Sequence, residues 1–180
     1  MSGLIWVDIE TTGLDPQNDS MIELGIIITD FDLNIIDRDS WVIEPSPDHL
    51  ADMDDVVRDM HTKSGLLDEL GISAINIHRA EKHAIDFIAN APFDSPMCGS
   101  SVHFDRSFIA KLMPGLLQSF THRNIDVSTV KMLARMWNPE LEMKSEDDPP
   151  HRALPDLERS IEELKFYREH FFYREYWEAL

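Results

Sequence analysis

Four carboxylic acids and one histidine, carried by three separate segments, have side chains that could combine in one chemistry. They are Asp8 and Glu10, Asp105, and His151 with Asp156. Asp8 and Glu10 are two residues apart in an apolar run, and side chains at that spacing in a β-strand point to the same face. The two carboxylates would repel each other, and a divalent cation, which prefers carboxylate oxygens, would remove that conflict. For the pair alone, a polar end of an edge strand is the simpler explanation, although the apolar neighbours favour a central strand.

The other two segments are ambiguous when each is taken singly. Asp105 opens a predicted helix, where an acidic residue is also favourable for the helix itself. In the segment HRALPD, an ideal helix would turn His151 and Asp156 about 140° apart. The two can converge only if His151 lies in a loop and Asp156 in the first helical turn, which Pro155 permits. A solvated histidine before an acidic helix start is the simpler explanation of this segment alone.

Taken together, the three segments predict a hydrolytic metal site. Four carboxylates can balance two divalent cations. Two such ions about 3.5–4 Å apart activate a water and stabilise the leaving oxygen in phosphodiester hydrolysis. A histidine can accept the proton of that water near neutral pH.

The secondary-structure elements that must position these residues are predicted to be strands, followed by helices that alternate with short strands. Apolar, β-branched runs with short connections predict an antiparallel meander over 4–9, 21–29 and 35–43. Helical spacing and capping signals predict helices over 49–60, 77–90 and 104–113, from 128 to 137, and from 155 to about 171. Short strands are predicted over 96–99 and 125–127, and Ser128 is the predicted N-cap of the helix that follows. The order of elements indicates one α/β domain with a mixed sheet.

Composition limits the partners. The chain has 180 residues, of which 16 are basic and 34 acidic, giving a formal net charge of −18. A general affinity for long nucleic acid or an anionic membrane surface needs the opposite sign. The single cysteine, Cys98, and a start without a signal-peptide pattern lead us to expect a reducing cytoplasm. The longest apolar stretch, 24–28, is too short to cross a bilayer.

The ordered motifs resemble those of the DEDDh 3′-to-5′ exonucleases. Asp8 and Glu10 lie in WVDIETTGLDP, Asp105 in SSVHFDRSFI, and His151 and Asp156 in HRALPD, where the His-x4-Asp spacing is that of the histidine branch. Longer strings are similar to the oligoribonuclease family within it: CGSSVHFDRSFIAKLMP, IDVSTVKMLARMWNPE and ELKFYREHF. The resemblance runs from about residue 4 to 172.

The resemblance implies a ribonuclease H-like fold, with a five-stranded mixed sheet flanked by helices over a single domain, 1–180. It implies removal of nucleotides from short RNA with two Mg²⁺ or Mn²⁺ ions, and a homodimer. Asp8 would bridge the ions, Glu10 and Asp156 would complete the first ion's ligands, and Asp105 would serve the second. His151 would be the general base.

The resemblance also implies substrate contacts. Leu14 would lie against a base and His61 would contact the substrate, whereas Ser101, Arg123 and Ser128 would hold the terminal 5′ phosphate. A serine N-cap also offers free backbone N–H groups, a natural phosphate site.

Three positions depart from the family pattern. His122 stands where a tyrosine from the other subunit wedges against the second base, Val56 replaces a tryptophan beside the site, and Ser100 replaces an asparagine. Because stacking on a ring is worth about 1–3 kcal/mol per base, loss of two rings would weaken the hold on a dinucleotide. His122 is still expected to bind substrate, by stacking in place of the tyrosine.

Two alternatives therefore stay open. The chain could be a related exonuclease acting on longer RNA or single-stranded DNA, or a non-catalytic acidic binding protein. An acidic loop over 138–150 would repel long RNA, and an aromatic tail over 173–180 would suit a dimer contact.

Overall fold

The computed structural model describes residues 3–89, 95–141, 143 and 151–172. Its sheet has five strands in the order β3-β2-β1-β4-β5. The strands are β1 (Leu4–Thr11), β2 (Met21–Thr29), β3 (Ile35–Val42), β4 (Met97–Gly99) and β5 (Asn124–Asp126). The first three pair antiparallel, as their short connections predict, and β4 and β5 add in parallel beside β1. The expected mixed sheet is confirmed.

Eight helices surround the sheet within the described ranges. They are α1 (Pro47–Ala51), α2 (Asp55–Lys63), α3 (Leu66–Ser73), α4 (Ile77–Ile88), α5 (Val102–Leu112), α6 (Pro114–Leu117), α7 (Val127–Trp137) and α8 (Ala153–Tyr167), which continues as a π-helical turn, Arg168–Phe172. The prediction of one helix over 49–60 is wrong. The chain breaks there because the Asp54 side chain accepts a hydrogen bond from the Val56 N–H and starts a second helix.

Strand β1 lies between two apolar cores. Ile5, Val7 and Ile9 belong to a cluster that includes side chains of α4 and α5. Leu4 and Trp6, on the other face, pack with residues of α8. The alternation of a strand places Asp8 and Glu10 in line with Leu4 and Trp6, at the end of β1 and on the side of α8.

Two predicted segments fall mainly outside the described residues, namely the acidic loop over 138–150 and the aromatic tail over 173–180. The extent of the single domain also stays a prediction. Among the helices of the described ranges, none has the length and apolar character needed to cross a membrane.

Candidate active site

The end of β1 and the first turn of α8 bring three carboxylates together. Asp8, Glu10 and Asp156 each offer an oxygen atom, and these oxygens all lie within 4.8 Å of one another. Asp156 is in the first turn of α8, and His151 lies in the loop just before it with φ of 51°. This is the arrangement that the spacing in HRALPD requires for convergence.

A glycine in β2 allows α8 to come this close. Gly25 is paired with Asp8 across β1 and β2. A Cβ atom on residue 25 would lie 2.7 Å from the Cβ of Ala153 and 3.1 Å from its carbonyl carbon. Sequence reasoning missed Gly25, although an isolated glycine inside an apolar strand indicates a close backbone approach.

Asp105 reaches the same stretch of β1 from α5. It is buried, and its Oδ1 accepts a hydrogen bond from the Ile9 N–H at 3.1 Å. Ile9 lies between Asp8 and Glu10 in sequence, beyond the last pair of β1 with β4, Trp6 with Cys98. Because β4 ends before it reaches Ile9, the Ile9 N–H is available to Asp105. This hydrogen bond holds the fourth carboxylate beside the other three.

Burial and mutual repulsion make ionisation of these carboxylates costly. Burial, with the charges of Asp105 and Glu10 next in size, raises the pKa of Asp8 well above its ordinary value. Burial and then Asp156 and Glu23 raise the pKa of Glu10 to about 8, against a smaller lowering effect of Arg152. Burial also raises the pKa of Asp105 to about 7 and that of Asp156 above its ordinary value. Four oxygen-donor side chains with this unfavourable charge are chemically suited to divalent cations, so the residues present fit such ions.

His61, predicted to contact the substrate, is completely buried beneath the carboxylates. Its Nε2 bonds the Thr11 carbonyl oxygen at 2.9 Å. Its Nδ1 lies 3.8 Å from Glu10 Oε2 and has no hydrogen-bond partner among the residues that the structure describes. Burial lowers the pKa of His61. The position places His61 against a carboxylate of the site instead of on an exposed surface.

Two apolar side chains near the predicted substrate path are open to solvent. Leu14 is 81% exposed and Val56 is 76% exposed. The loop that carries Leu14 is held by Asp19, whose carboxylate accepts hydrogen bonds from the Thr12 hydroxyl at 3.0 Å and the Asp15 N–H at 2.9 Å. An apolar side chain on a loop held by hydrogen bonds is suited to pack against a nucleotide base.

Ser101 and Ser128 come together, but Ser128 is not the helix cap. Asp126 is the N-cap of α7, and its Oδ1 accepts hydrogen bonds from the backbone N–H and the hydroxyl of Ser128 and from the Ser101 N–H, at 3.0, 2.6 and 3.0 Å. The predicted cap was wrong because Asp126 is also a good capping residue and lies one residue before the helix. The two serine hydroxyl oxygens are 3.4 Å apart.

His122 and Arg123 lie apart from the carboxylates of their own chain. They line a cavity of about 400 Å³ together with residues at the start of β4 and β5. These strands run parallel to β1, whereas Asp8 and Glu10 lie in the second half of β1. The two residues therefore lie at the opposite end of these parallel strands from the carboxylate site.

The sequence and the fold are similar to those of known exonucleases. The sequence pattern of the exonuclease family (RNase_T) matches residues 5–164. The chain is 43% identical to the oligoribonuclease of Thiobacillus denitrificans over 171 residues, which are 93% of this chain and 94% of that protein. It is 44% identical to the oligoribonuclease of Photorhabdus laumondii, with the same coverage. The chain belongs to the exonuclease family and, within it, to the oligoribonucleases.

Solved structures of exonuclease I share the fold. Escherichia coli exonuclease I in complex with a dA16 oligonucleotide gives a TM-score of 0.72 over 95% of this chain, at 17% identity. The enzyme of Methylocaldum szegediense gives 0.67 over 96%, also at 17% identity. This chain spans about two-fifths of the length of those chains, 42% in each. The likeness confirms the expected ribonuclease H-like fold.

Proposed function

We propose that this protein is a 3′-to-5′ exoribonuclease that hydrolyses very short RNA, with dinucleotides favoured, to 5′-mononucleotides. The observation that carries the proposal is the cluster of Asp8, Glu10 and Asp156, whose oxygens lie within 4.8 Å of one another, with Asp105 bonded to the strand between the first two. The relatives named oligoribonuclease support the choice of short RNA.

Asp8, Glu10 and Asp156 would hold one divalent cation, and Asp105 with Asp8 a second. Mg²⁺ or Mn²⁺ bound there would supply a water of lowered pKa and stabilise the charge on the leaving oxygen. The chain's own contribution is to hold four carboxylates at fixed positions on β1, α5 and α8, and to keep them largely out of water.

His151 would act as the general base. It lies in the loop directly before α8, the helix that carries Asp156 in its first turn. A histidine titrates near neutral pH and can take a proton from water during phosphodiester hydrolysis.

The preference for short substrates is supported by the net charge of the chain. The net charge of −18 opposes long polyanions, whereas a dinucleotide needs only the carboxylate-bound ions and a few local contacts. We propose that Leu14 lies against a base and that Ser101 and Ser128, together with Arg123 from a second copy of the chain, receive the 5′ phosphate. His61 would support Glu10 from beneath.

The test is cleavage of a 5′-labelled diribonucleotide and of an RNA of roughly 20 nucleotides at low salt with Mg²⁺ or Mn²⁺. We expect faster cleavage of the dinucleotide, and shortening of the longer RNA from its 3′ end as a ladder of labelled products. Asp8→Asn should abolish both, whereas Asp37→Asn on the exposed strand β3 should change neither. Absence of cleavage while Mn²⁺ still raises the melting temperature would contradict the proposed function and favour an acidic binding protein. Faster cleavage of the longer RNA or of single-stranded DNA would favour a related exonuclease.

We also propose a homodimer in which His122 and Arg123 serve the site of the partner subunit. The support is their position at the opposite end of the parallel strands from the carboxylates of their own chain. Mixing inactive Asp8→Ala subunits with impaired His122→Ala subunits would then recreate one complete site in each mixed dimer. Because half of the dimers would be mixed, about a quarter of wild-type activity should return. No recovery after subunit exchange, or a monomer by light scattering, would contradict this.

We further propose a cytoplasmic location, on the ground that the chain has one cysteine, which is buried and unpaired. Fractionation of cells that express the full chain would test it. Recovery of the protein in the membrane or the external medium would contradict it.

A further inference from the structure

The residue next to the proposed general base is held by two glutamates from distant parts of the chain. The Arg152 guanidinium donates to Glu23 from Nε at 3.1 Å and from Nη2 at 3.0 Å. It also donates to Glu69, from Nη1 at 2.8 Å and from Nη2 at 3.0 Å. Such paired contacts use the planar fork of arginine, which lysine does not have. We call Glu23, Arg152 and Glu69 the arginine clamp.

The clamp joins three elements around the site. Glu23 is buried on β2 and is paired with Glu10 across β1. Its Oε2 also accepts the Ala153 N–H at 3.1 Å, so it holds the first backbone donor of α8. Glu69 lies on α3, which follows directly after α2, the helix that carries His61. The clamp therefore holds the start of α8 against the sheet and against the α2–α3 pair.

His151 needs such support because its backbone is in an uncommon conformation. Its φ of 51° lies in the left-handed region, which a residue other than glycine occupies at a cost of about 1 kcal/mol or more unless neighbours enforce it. On its C-terminal side, the Arg152 N–H donates to Asp156 Oδ2 at 3.1 Å, and the Arg152 carbonyl accepts from the Asp156 N–H at 3.1 Å. Arg152 is thus fixed by its side chain and by its backbone, directly after the strained residue.

We infer that Arg152, gripped by Glu23 and Glu69, is a positioning residue that holds His151 in its left-handed conformation and so aims the imidazole at the attacking water. Arg152 touches neither substrate nor ions in this role. The inference deepens the proposed function and rests on it.

The test compares Arg152→Lys with wild type on the dinucleotide. Lysine keeps the charge but cannot make the paired contacts to both glutamates. We expect kcat to fall tenfold or more and KM to change less than about threefold, since small misplacements of a reacting group can cost about a hundredfold in rate. Glu69→Ala, which removes the outer and half-exposed partner, should lower kcat in the same direction by a smaller factor.

A matched control is Arg38→Lys. Arg38 on β3 pairs with Glu158 on α8, so it too joins the sheet to this helix, but away from His151. Its replacement should leave kcat and KM within about twofold of wild type, as expected for an exposed ion pair. Equal effects of the two Arg→Lys changes would overturn the inference, because they would show only a general need to hold α8.

The decisive readout is a double-mutant cycle with His151→Ala. If Arg152 acts through His151, Arg152→Lys should lower the residual kcat of His151→Ala by less than about twofold. A loss of the same factor in both backgrounds would overturn the inference, as would an unchanged kcat in Arg152→Lys that melts like wild type. If wild type itself does not cleave RNA, the proposed function fails first. The two failures are thereby distinguished.

Discussion

Asp8 and Gly25 are paired across β1 and β2, and Ala153 occupies the space that a side chain at position 25 would need. We predict that Gly25→Ala displaces the start of α8 and moves Asp156 away from Asp8. Such overpacking costs about 1–3 kcal/mol, and a shift of about 1 Å at the site can cost roughly a hundredfold in rate. Thermal melting and dinucleotide cleavage measure the two effects.

The control for this substitution is Gly71→Ala. Gly71 lies within α3, and a Cβ there would meet no atom of the described residues within 4 Å. Because alanine is the better helix former, this change should raise the free energy of unfolding by about 0.5–1 kcal/mol and leave cleavage unchanged. Full activity of Gly25→Ala would mean that the close contact with Ala153 does not position Asp156.

The raised pKa of Glu10 predicts a pH-dependent instability of the metal-free protein. The pKa of Glu10 is about 8 in the folded chain and near 4.5 when unfolded. Between these values the folded state holds a proton that the unfolded state has lost, so stability falls as pH rises from about 5 to 8. Glu10→Gln removes this loss. It should raise the melting temperature in chelator at pH 8 by several degrees, since 1 kcal/mol corresponds to roughly 2–4 °C for a chain of this size.

The same comparison at pH 5 and with Mn²⁺ provides the controls. At pH 5 the gain from Glu10→Gln should be small, because folded Glu10 is already protonated. With Mn²⁺ at pH 8 the order should reverse, since the ion stabilises wild type through the carboxylate that the variant lacks. Glu44→Gln, a change at an exposed position, should show none of these differences. A gain from Glu10→Gln that is equal at both pH values would contradict the prediction.

Asp105 has two separable roles: it accepts a hydrogen bond from β1, and it supplies a negative charge for a cation. Its Oδ1 accepts the Ile9 N–H, and its charge is available to an ion. Asp105→Asn keeps an acceptor oxygen, whereas Asp105→Ala leaves a buried N–H unpaired at a cost of about 1–3 kcal/mol. Both variants should lose activity, but only the alanine variant should unfold more readily in urea. Equal destabilisation by both would show that the hydrogen bond does not account for the stability.

The sequence predicts how Asp8, Glu10 and Asp156 can converge, although each segment alone also has a simpler explanation. The two-residue spacing of Asp8 and Glu10 requires a shared strand face, and helix geometry requires the loop conformation of His151. Short connections likewise predict the antiparallel part of the sheet. The position of β4 and β5 beside β1 came only through the family resemblance, since no local pattern specifies strand order.

What sequence reasoning missed depends on long-range contacts or on competing local ones. The partners of Arg152 are 129 and 83 residues away, and nothing near HRALPD indicates them. The sequence does not distinguish Ser128 from Asp126 as the cap of α7, because both are good capping residues and only the backbone conformation decides between them. Likewise, the sequence around His61 does not indicate that its side chain is buried.

The geometry of the two serines predicts unequal contributions to recognition of a 5′ phosphate. The Ser128 hydroxyl donates to Asp126 at 2.6 Å, whereas the Ser101 hydroxyl donates only a long bond, 3.4 Å, to Ser128 and is freer to turn towards a phosphate. Hydrogen bonds to charged groups contribute about 1.5–3 kcal/mol, so Ser101→Ala should weaken binding of a 5′-phosphorylated dinucleotide roughly tenfold. Ser128→Ala should weaken it less. Titrations of the same dinucleotide with and without the 5′ phosphate measure this, and an equal loss for both ligands in Ser101→Ala would show that its hydroxyl does not meet the phosphate.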